Sequence, residues 1–144
     1  MGCPEVTLGL LPGGGGVVRS IHMMGVEKAL PSLLAGKAYK PQQALESGYV
    51  DEVLATTEEL VPRAKEWIKA NPDQWQKPWD KRGHKIPGGD KSCPRVVQFF
   101  TATNLGSAKK TRGLLPAPQR IISIASDTIR VDFDTASRTE ASPP

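Results

Sequence analysis

Four consecutive glycines, Gly13 to Gly16, constrain this chain more than any other feature. Glycine loses more backbone freedom on ordering than any other residue, so such a run is costly inside a helix or strand. It marks a loop, with a tight turn and room for close approach of the backbone to a ligand. Before it, Cys3-Pro4-Glu5-Val6-Thr7-Leu8-Gly9-Leu10-Leu11-Pro12 is an apolar stretch with one carboxylate. Residues 5–8 read as a short strand or extended segment. After it, Val17 to Met24 predicts a helix that Gly25 stops. An acid leading into exposed backbone N–H groups at a helix start is the material for acid–base chemistry beside an oxyanion or a bound water.

Two other readings of the glycine loop fail on spacing. A Walker phosphate loop needs Gly-Lys-Ser/Thr after the loop, and Val17-Val18-Arg19 does not supply it. The dinucleotide spacing Gly-x-Gly-x-x-Gly fails because residue 18 is valine. The two histidines, His22 and His84, form no Ser/His/Asp or Cys/His arrangement with the rest of the chain. Cys3 and Cys93 lie far apart and show no metal-ligand spacing, so they read as two reduced thiols and no metal site is expected.

Farther along, Val26 to Ala35 reads as a second helix, with Pro31 requiring a kink or a restart. Pro41 suits the first turn of a third helix and Gly48 its end, and Tyr49 to Leu54 reads as a short strand. Thr56 or Thr57 can cap the next helix, whose apolar face carries Leu60, Ala64, Trp67 and Ile68 before Asn71-Pro72 ends it. Residues 72–92, with Trp75, Trp79 and several prolines and glycines, read as an ordered or semi-ordered loop. A helix is expected from about Pro94 to Asn104, a basic linker over Ser107 to Arg112, and a helix over Pro118 to Arg130 with Ile121, Ile122, Ala125 and Ile129 on one side. Phe133 onward reads as connecting chain.

The net charge of +4 is unevenly placed: residues 71–115 hold 9 basic and 3 acidic side chains, while the segments on either side are near balance. Trp75…Trp79-Asp80-Lys81-Arg82-Gly83-His84-Lys85 interleaves aromatic and basic residues, which suits single-stranded nucleic acid or an anionic ligand. It equally suits a loop that anchors its tryptophans on the core and solvates its charges, and nucleic acid is the weaker of the two readings. No apolar run is long enough for a membrane span, and the first residues lack the pattern of a signal peptide, so a cytoplasmic location is expected.

The run from Cys3 to Gly16 resembles the second catalytic motif of the crotonase (enoyl-CoA hydratase/isomerase) superfamily. Ala35-Gly36-Lys37 and Lys40 to Val53, ending Gly48-Tyr49-Val50-Asp51-Glu52-Val53, are similar to the crotonase segment in which a short helix leads into a strand. Val131 to Arg138 resembles the region that joins hydratase and dehydrogenase halves in the bacterial multifunctional α subunits of fatty-acid β-oxidation. The resemblance implies an α/β fold, here an incomplete crotonase-like one, mostly helical with short strands. It divides the chain into residues 1–71 of a hydratase domain, a Trp/Pro/basic segment over 72–115, and a helix and linker over 116–144. Both ends look cut: an oxyanion-hole segment with a first catalytic glutamate would precede Glu5, and an NAD-dependent 3-hydroxyacyl-CoA dehydrogenase half would follow.

By the same resemblance, Glu5 corresponds to the second catalytic glutamate, the acid that protonates the α-carbon when water adds to a trans-2-enoyl-CoA. Gly13 would turn its backbone N–H toward the catalytic water, with Pro12 and Gly14 as the adjoining substrate-binding residues. The implied partners are the enoyl-CoA substrate, the remainder of the subunit and a thiolase subunit. NAD would belong to the dehydrogenase half, with no cofactor in this stretch. A chain with one glutamate of the pair is expected to be nearly inactive alone, and a split-subunit, non-catalytic acyl-CoA-binding or assembly piece is the alternative.

Overall fold

A computed structural model describes residues 1–81, 83–112 and 114–142; Arg82 of the basic run, Gly113 and the terminal Pro143 and Pro144 lie outside them. Seven α-helices occur among the described residues: α1 (Gly16–Met24), α2 (Val26–Ala35), α3 (Pro41–Ser47), α4 (Leu60–Ala70), α5 (Pro94–Thr111), α6 (Pro116–Thr128) and α7 (Phe133–Ala141). Two short 3-10 turns, Glu5–Leu8 and Pro78–Asp80, complete the regular structure.

No strand occurs among the described residues, which corrects the expectation of strands at 5–8 and 49–54. A strand needs a neighbour to take its backbone hydrogen bonds. Here Glu5–Leu8 satisfies its own: the Thr7 N–H bonds to the Pro4 carbonyl at 2.9 Å and the Leu10 N–H to that of Glu5 at 3.0 Å. Gly9 ends the turn in the left-handed region at φ 75°.

The core is a helical layer in which α1 and α2 pack on each other and on α6. Val17, Val18 and Ile21 of α1 meet Leu30 of α2 and Ile121, Ile124 and Ala125 of α6, all fully or almost fully buried. Val96 and Phe100 of α5 close one side, and Ala136 of α7 contributes from the other. The core therefore draws on residues from all three of the sequence segments 1–71, 72–115 and 116–144. Gly25 makes the α1–α2 corner: its φ is +80°, and a Cβ there would run into the Pro87 carbonyl oxygen. A side chain at that position is excluded by both backbone strain and space.

Helix α2 accommodates Pro31 without dividing into two helices. Helix α4 begins at Leu60, later than a Thr56 or Thr57 cap would place it, and has no side-chain cap. None of its residues is buried, and Leu60, Val61, Trp67 and Ile68 are all exposed. Helix α5 continues through the residues expected to be a linker, because Leu105, Ala108 and Lys109 are good helix formers.

Helix α6 starts two residues before Pro118, with Pro116 in the first turn, where its missing N–H costs nothing. Residues from Phe133 form α7 instead of connecting chain, because Asp132 caps it: its carboxylate accepts from the Thr135 N–H at 3.0 Å and from the Thr135 hydroxyl at 2.8 Å. No helix among the described residues is long and apolar enough to cross a membrane.

Candidate functional site

Glu5 sits at the start of the first 3-10 turn, where Pro4 sets the backbone and Gly9 ends it. The residue is half-buried. Its Oε2 is sealed from solvent and has no hydrogen-bond partner among the described residues. A carboxylate oxygen in that condition is costly to desolvate, so it persists only where surrounding structure holds it.

The polar neighbourhood is small. Cys3 Sγ lies 3.3 Å from the Tyr49 hydroxyl. Burial, the Cys3 thiol and the nearby Glu5 carboxylate together push the Tyr49 hydroxyl up to about 12, against a weaker opposing bond with Ser20. Tyr49 therefore stays protonated at every physiological pH and acts there as a neutral hydrogen-bonding group. It stacks on Tyr39 with ring centroids 5.8 Å apart, and the Tyr39 N–H bonds to the Met1 carbonyl at 2.7 Å.

The glycine loop lies on the other side of Cys3. A Cβ on Gly16 would meet Pro12 Cβ at 2.8 Å and Cys3 Sγ at 3.6 Å, so Cys3 links the Glu5 turn to the loop. Pro12 is fully buried and anchors the loop, while Gly13 and Gly14 are exposed. A Cβ at either glycine would meet nothing within 4 Å, so their backbone is open to an approaching group. Gly14 and Gly15 take φ of +63° and +86°, a pair of left-handed residues that non-glycine side chains resist. The guanidinium of Arg19 reaches back to donate to the Gly14 carbonyl.

The start of α1 is not open. Glu140, 7% exposed, inserts its carboxylate there and accepts from the Val17 N–H at 3.3 Å and the Val18 N–H at 3.0 Å. The carboxylate uses donors that a bound anion would otherwise take, and its charge matches the positive end of the helix. Sequence reasoning missed Glu140, because a cap contributed from 122 residues away has no local signature. Dinucleotide binding does not fit this loop: a 3-10 turn precedes it instead of a strand, and Glu140 fills the place of the pyrophosphate.

The two histidines come together, which their sequence separation gave no reason to expect. Their ring centroids are 5.1 Å apart, and His22 also meets the Phe133 ring edge-on at 5.2 Å. Trp79 stacks on Phe133 at 5.9 Å, so this tryptophan is anchored on the core as one reading of the basic loop requires, while Trp75 is 78% exposed. No cluster of three or more potential metal ligands occurs among the described residues.

The family model described as enoyl-CoA hydratase/isomerase matches residues 1–78, which contain Glu5, the glycine loop and Tyr49. Over 123 residues the chain is 40% identical to a protein named fatty acid oxidation complex subunit alpha from Shewanella halifaxensis (strain HAW-EB4), covering 85% of this chain and 17% of that protein. It is 37% identical over 142 residues to proteins of the same name from Shewanella baltica (strain OS155 / ATCC BAA-1091) and Shewanella putrefaciens (strain CN-32 / ATCC BAA-453), covering 99% of this chain and 20% of each. The chain thus spans about a fifth of the length of these relatives, and its similarity to them extends well past the matched family region. With more than half its length matched, this chain belongs to the enoyl-CoA hydratase/isomerase family.

Proposed function

We propose that this chain carries one catalytic glutamate of a fatty-acid β-oxidation hydratase, acting on trans-2-enoyl-CoA together with the rest of a longer subunit. The observation that supports it most is Glu5 itself: a carboxylate oxygen shielded from water and without a partner, on a turn that Cys3 connects to an open glycine loop. Hydration of an enoyl thioester needs a proton delivered to the α-carbon as water adds to the β-carbon. The shielded Glu5 carboxyl would supply that proton. The exposed N–H groups of Gly13 and Gly14 would orient the water or the acyl chain, with Pro12 fixing the loop.

Stabilisation of the thioester oxygen in an enolate-like transition state requires converging donors of its own. The N–H groups of Val17 and Val18 are taken by Glu140, so these donors, like a second glutamate, would come from outside this stretch. NAD-dependent oxidation of the product, a thiolase partner and a cytoplasmic location belong to the longer subunit under the same reading. Helix α4, with its apolar side chains bare to solvent, favours the related view of this chain as an assembly piece.

The chain alone should turn over crotonyl-CoA no faster than its Glu5→Gln variant. Co-expression with a polypeptide that supplies the oxyanion-hole and first-glutamate segment should give a co-purifying pair with hydratase activity. Equal, substantial turnover by the isolated chain and by Glu5→Gln would contradict the proposal, as would a stable but inactive pair.

A further inference from the structure

A half-open cavity of about 370 Å³ lies between His22 of α1, the loop after Pro78–Asp80 and the chain entering α7, with no residue of the Glu5 turn in its wall. Its walls include His22, His84, Trp79 and Phe133. Lys81, Lys85, Lys91 and Arg130 stand around it, and none of the four forms an ion pair among the described residues. The cavity is more than ten times the volume of one water molecule, which occupies about 30 Å³ in the liquid, and falls in the range of small-molecule sites.

Two features separate this cluster from a solvated charge run. First, the acidic residues of the cavity are turned to the backbone. Asp90 accepts from the Ser92 N–H at 2.8 Å, and Asp132 is engaged by the Thr135 N–H and hydroxyl. Those bonds hold both carboxyls below their ordinary range, Asp90 with a smaller contribution from Lys91, so both stay charged and offset the four cations only in part. The formal balance of the named side chains is four positive against two negative.

Second, His22 is 6% exposed, and neither of its ring nitrogens has a hydrogen-bond partner among the described residues; His84 Nε2 is likewise sealed and without a partner among them. A neutral imidazole always carries one N–H. A buried donor without an acceptor destabilises the fold. The aromatic walls, Trp79 and Phe133, offer the imidazoles no acceptor oxygen.

We propose that this cavity binds a phosphate-bearing anion, with His22 and His84 donating from within and Lys81, Lys85, Lys91 and Arg130 neutralising its charge. A phosphate group supplies several strong acceptor oxygens at once, for the sealed imidazole nitrogens and for four cations that form no ion pair among the described residues, Lys91 having only a 3.5 Å bond to the Arg130 carbonyl. The volume admits more than the phosphate itself, and the face of Trp79 or Phe133 can take an attached ring. The site lies apart from Glu5 and does not depend on the hydratase reading.

The test is an NMR titration of the 144-residue chain labelled at histidine, using inorganic phosphate and adenosine monophosphate, with chloride at matched ionic strength as control. Saturable shifts of both imidazoles with a millimolar or tighter constant are expected. The surface variant Lys85→Met/Lys91→Met should weaken binding at least tenfold with its helical circular dichroism unchanged. Tighter binding of the nucleotide identifies a ring-bearing ligand, and equal binding identifies phosphate alone. Glu5→Gln should titrate like the parent. Shifts that chloride reproduces, shifts that do not saturate, or affinity indifferent to the double lysine variant would each overturn the proposal.

Discussion

Glu140 and His22 show how single side chains set the chemistry of this fold. Removing the Glu140 carboxylate strands the Val17 and Val18 N–H groups and withdraws a negative charge from the start of α1. Glu140→Ala should cost about 2 kcal/mol of stability, measured as a lower urea midpoint with an unchanged slope. His22 has its pKa lowered to about 4, chiefly by burial and secondly by His84. Its folded pKa lies below the unfolded value near 6.5, so between these limits the unfolded chain binds more protons and stability rises with pH.

The contribution of His22 is thus complete above about pH 6.5 and is lost as pH falls toward 4. The charged groups around its cavity are His84, Lys81, Lys85, Lys91, Arg130, Asp90 and Asp132, with Arg19 over the Phe133 ring. Asp90 and Asp132 act in the same direction at lower pH, because their folded pKa values are depressed. The urea midpoint of the parent should therefore fall relative to that of His22→Leu as pH drops from 7 to 5. Curves that stay parallel over that window would show that His22 remains accessible to protons.

Among the elements, α4 differs most from its neighbours. It has an apolar stripe at helical spacing, yet Leu60, Val61, Trp67 and Ile68 remain between 41% and 63% exposed. Trp67→Lys or Ile68→Glu should change stability by less than about 0.5 kcal/mol, since both side chains are exposed, and should raise solubility. Amide exchange in α4 should also be faster than in α1 or α6.

The helices with a local signal were legible in the sequence. Gly25 and Gly48 stop α1 and α3, and the isoleucine stripe marks α6. The misassigned elements depended on something outside their own residues or on a weaker local signal. Val6 and Leu8 suit a strand by composition but have no neighbouring strand among the described residues, so their turn closes on itself. The Asp132–Thr135 cap that starts α7 passes unnoticed beside Phe133. At the candidate site, Glu5 and the glycine loop follow from local sequence and family resemblance, whereas the Tyr49–Cys3 contact spans 46 residues and was not visible.

As a whole, the molecule rests on one apolar cluster shared by α1, α2, α5, α6 and α7. Ile121 and Leu30 are both completely buried in it, and truncating either to alanine should cost about 2–5 kcal/mol. Such a loss is comparable to the total stability of many domains, so Ile121→Ala should unfold α1 and α6 together, in one transition by circular dichroism and by tryptophan fluorescence. That shared core holds α1, and hence the glycine loop at its start, in a fixed relation to the Cys3–Glu5 turn.

The proposed role of Glu5 is that of the proton-transferring carboxylate of an enoyl-CoA hydratase. The most direct measurement is the crotonyl-CoA hydration rate of the chain assembled with its complementing polypeptide, compared with the same assembly carrying Glu5→Gln. A fall of about 10²- to 10⁴-fold in kcat with unchanged assembly is the predicted result. A variant that assembles equally well and keeps the full rate would rule out that role for Glu5.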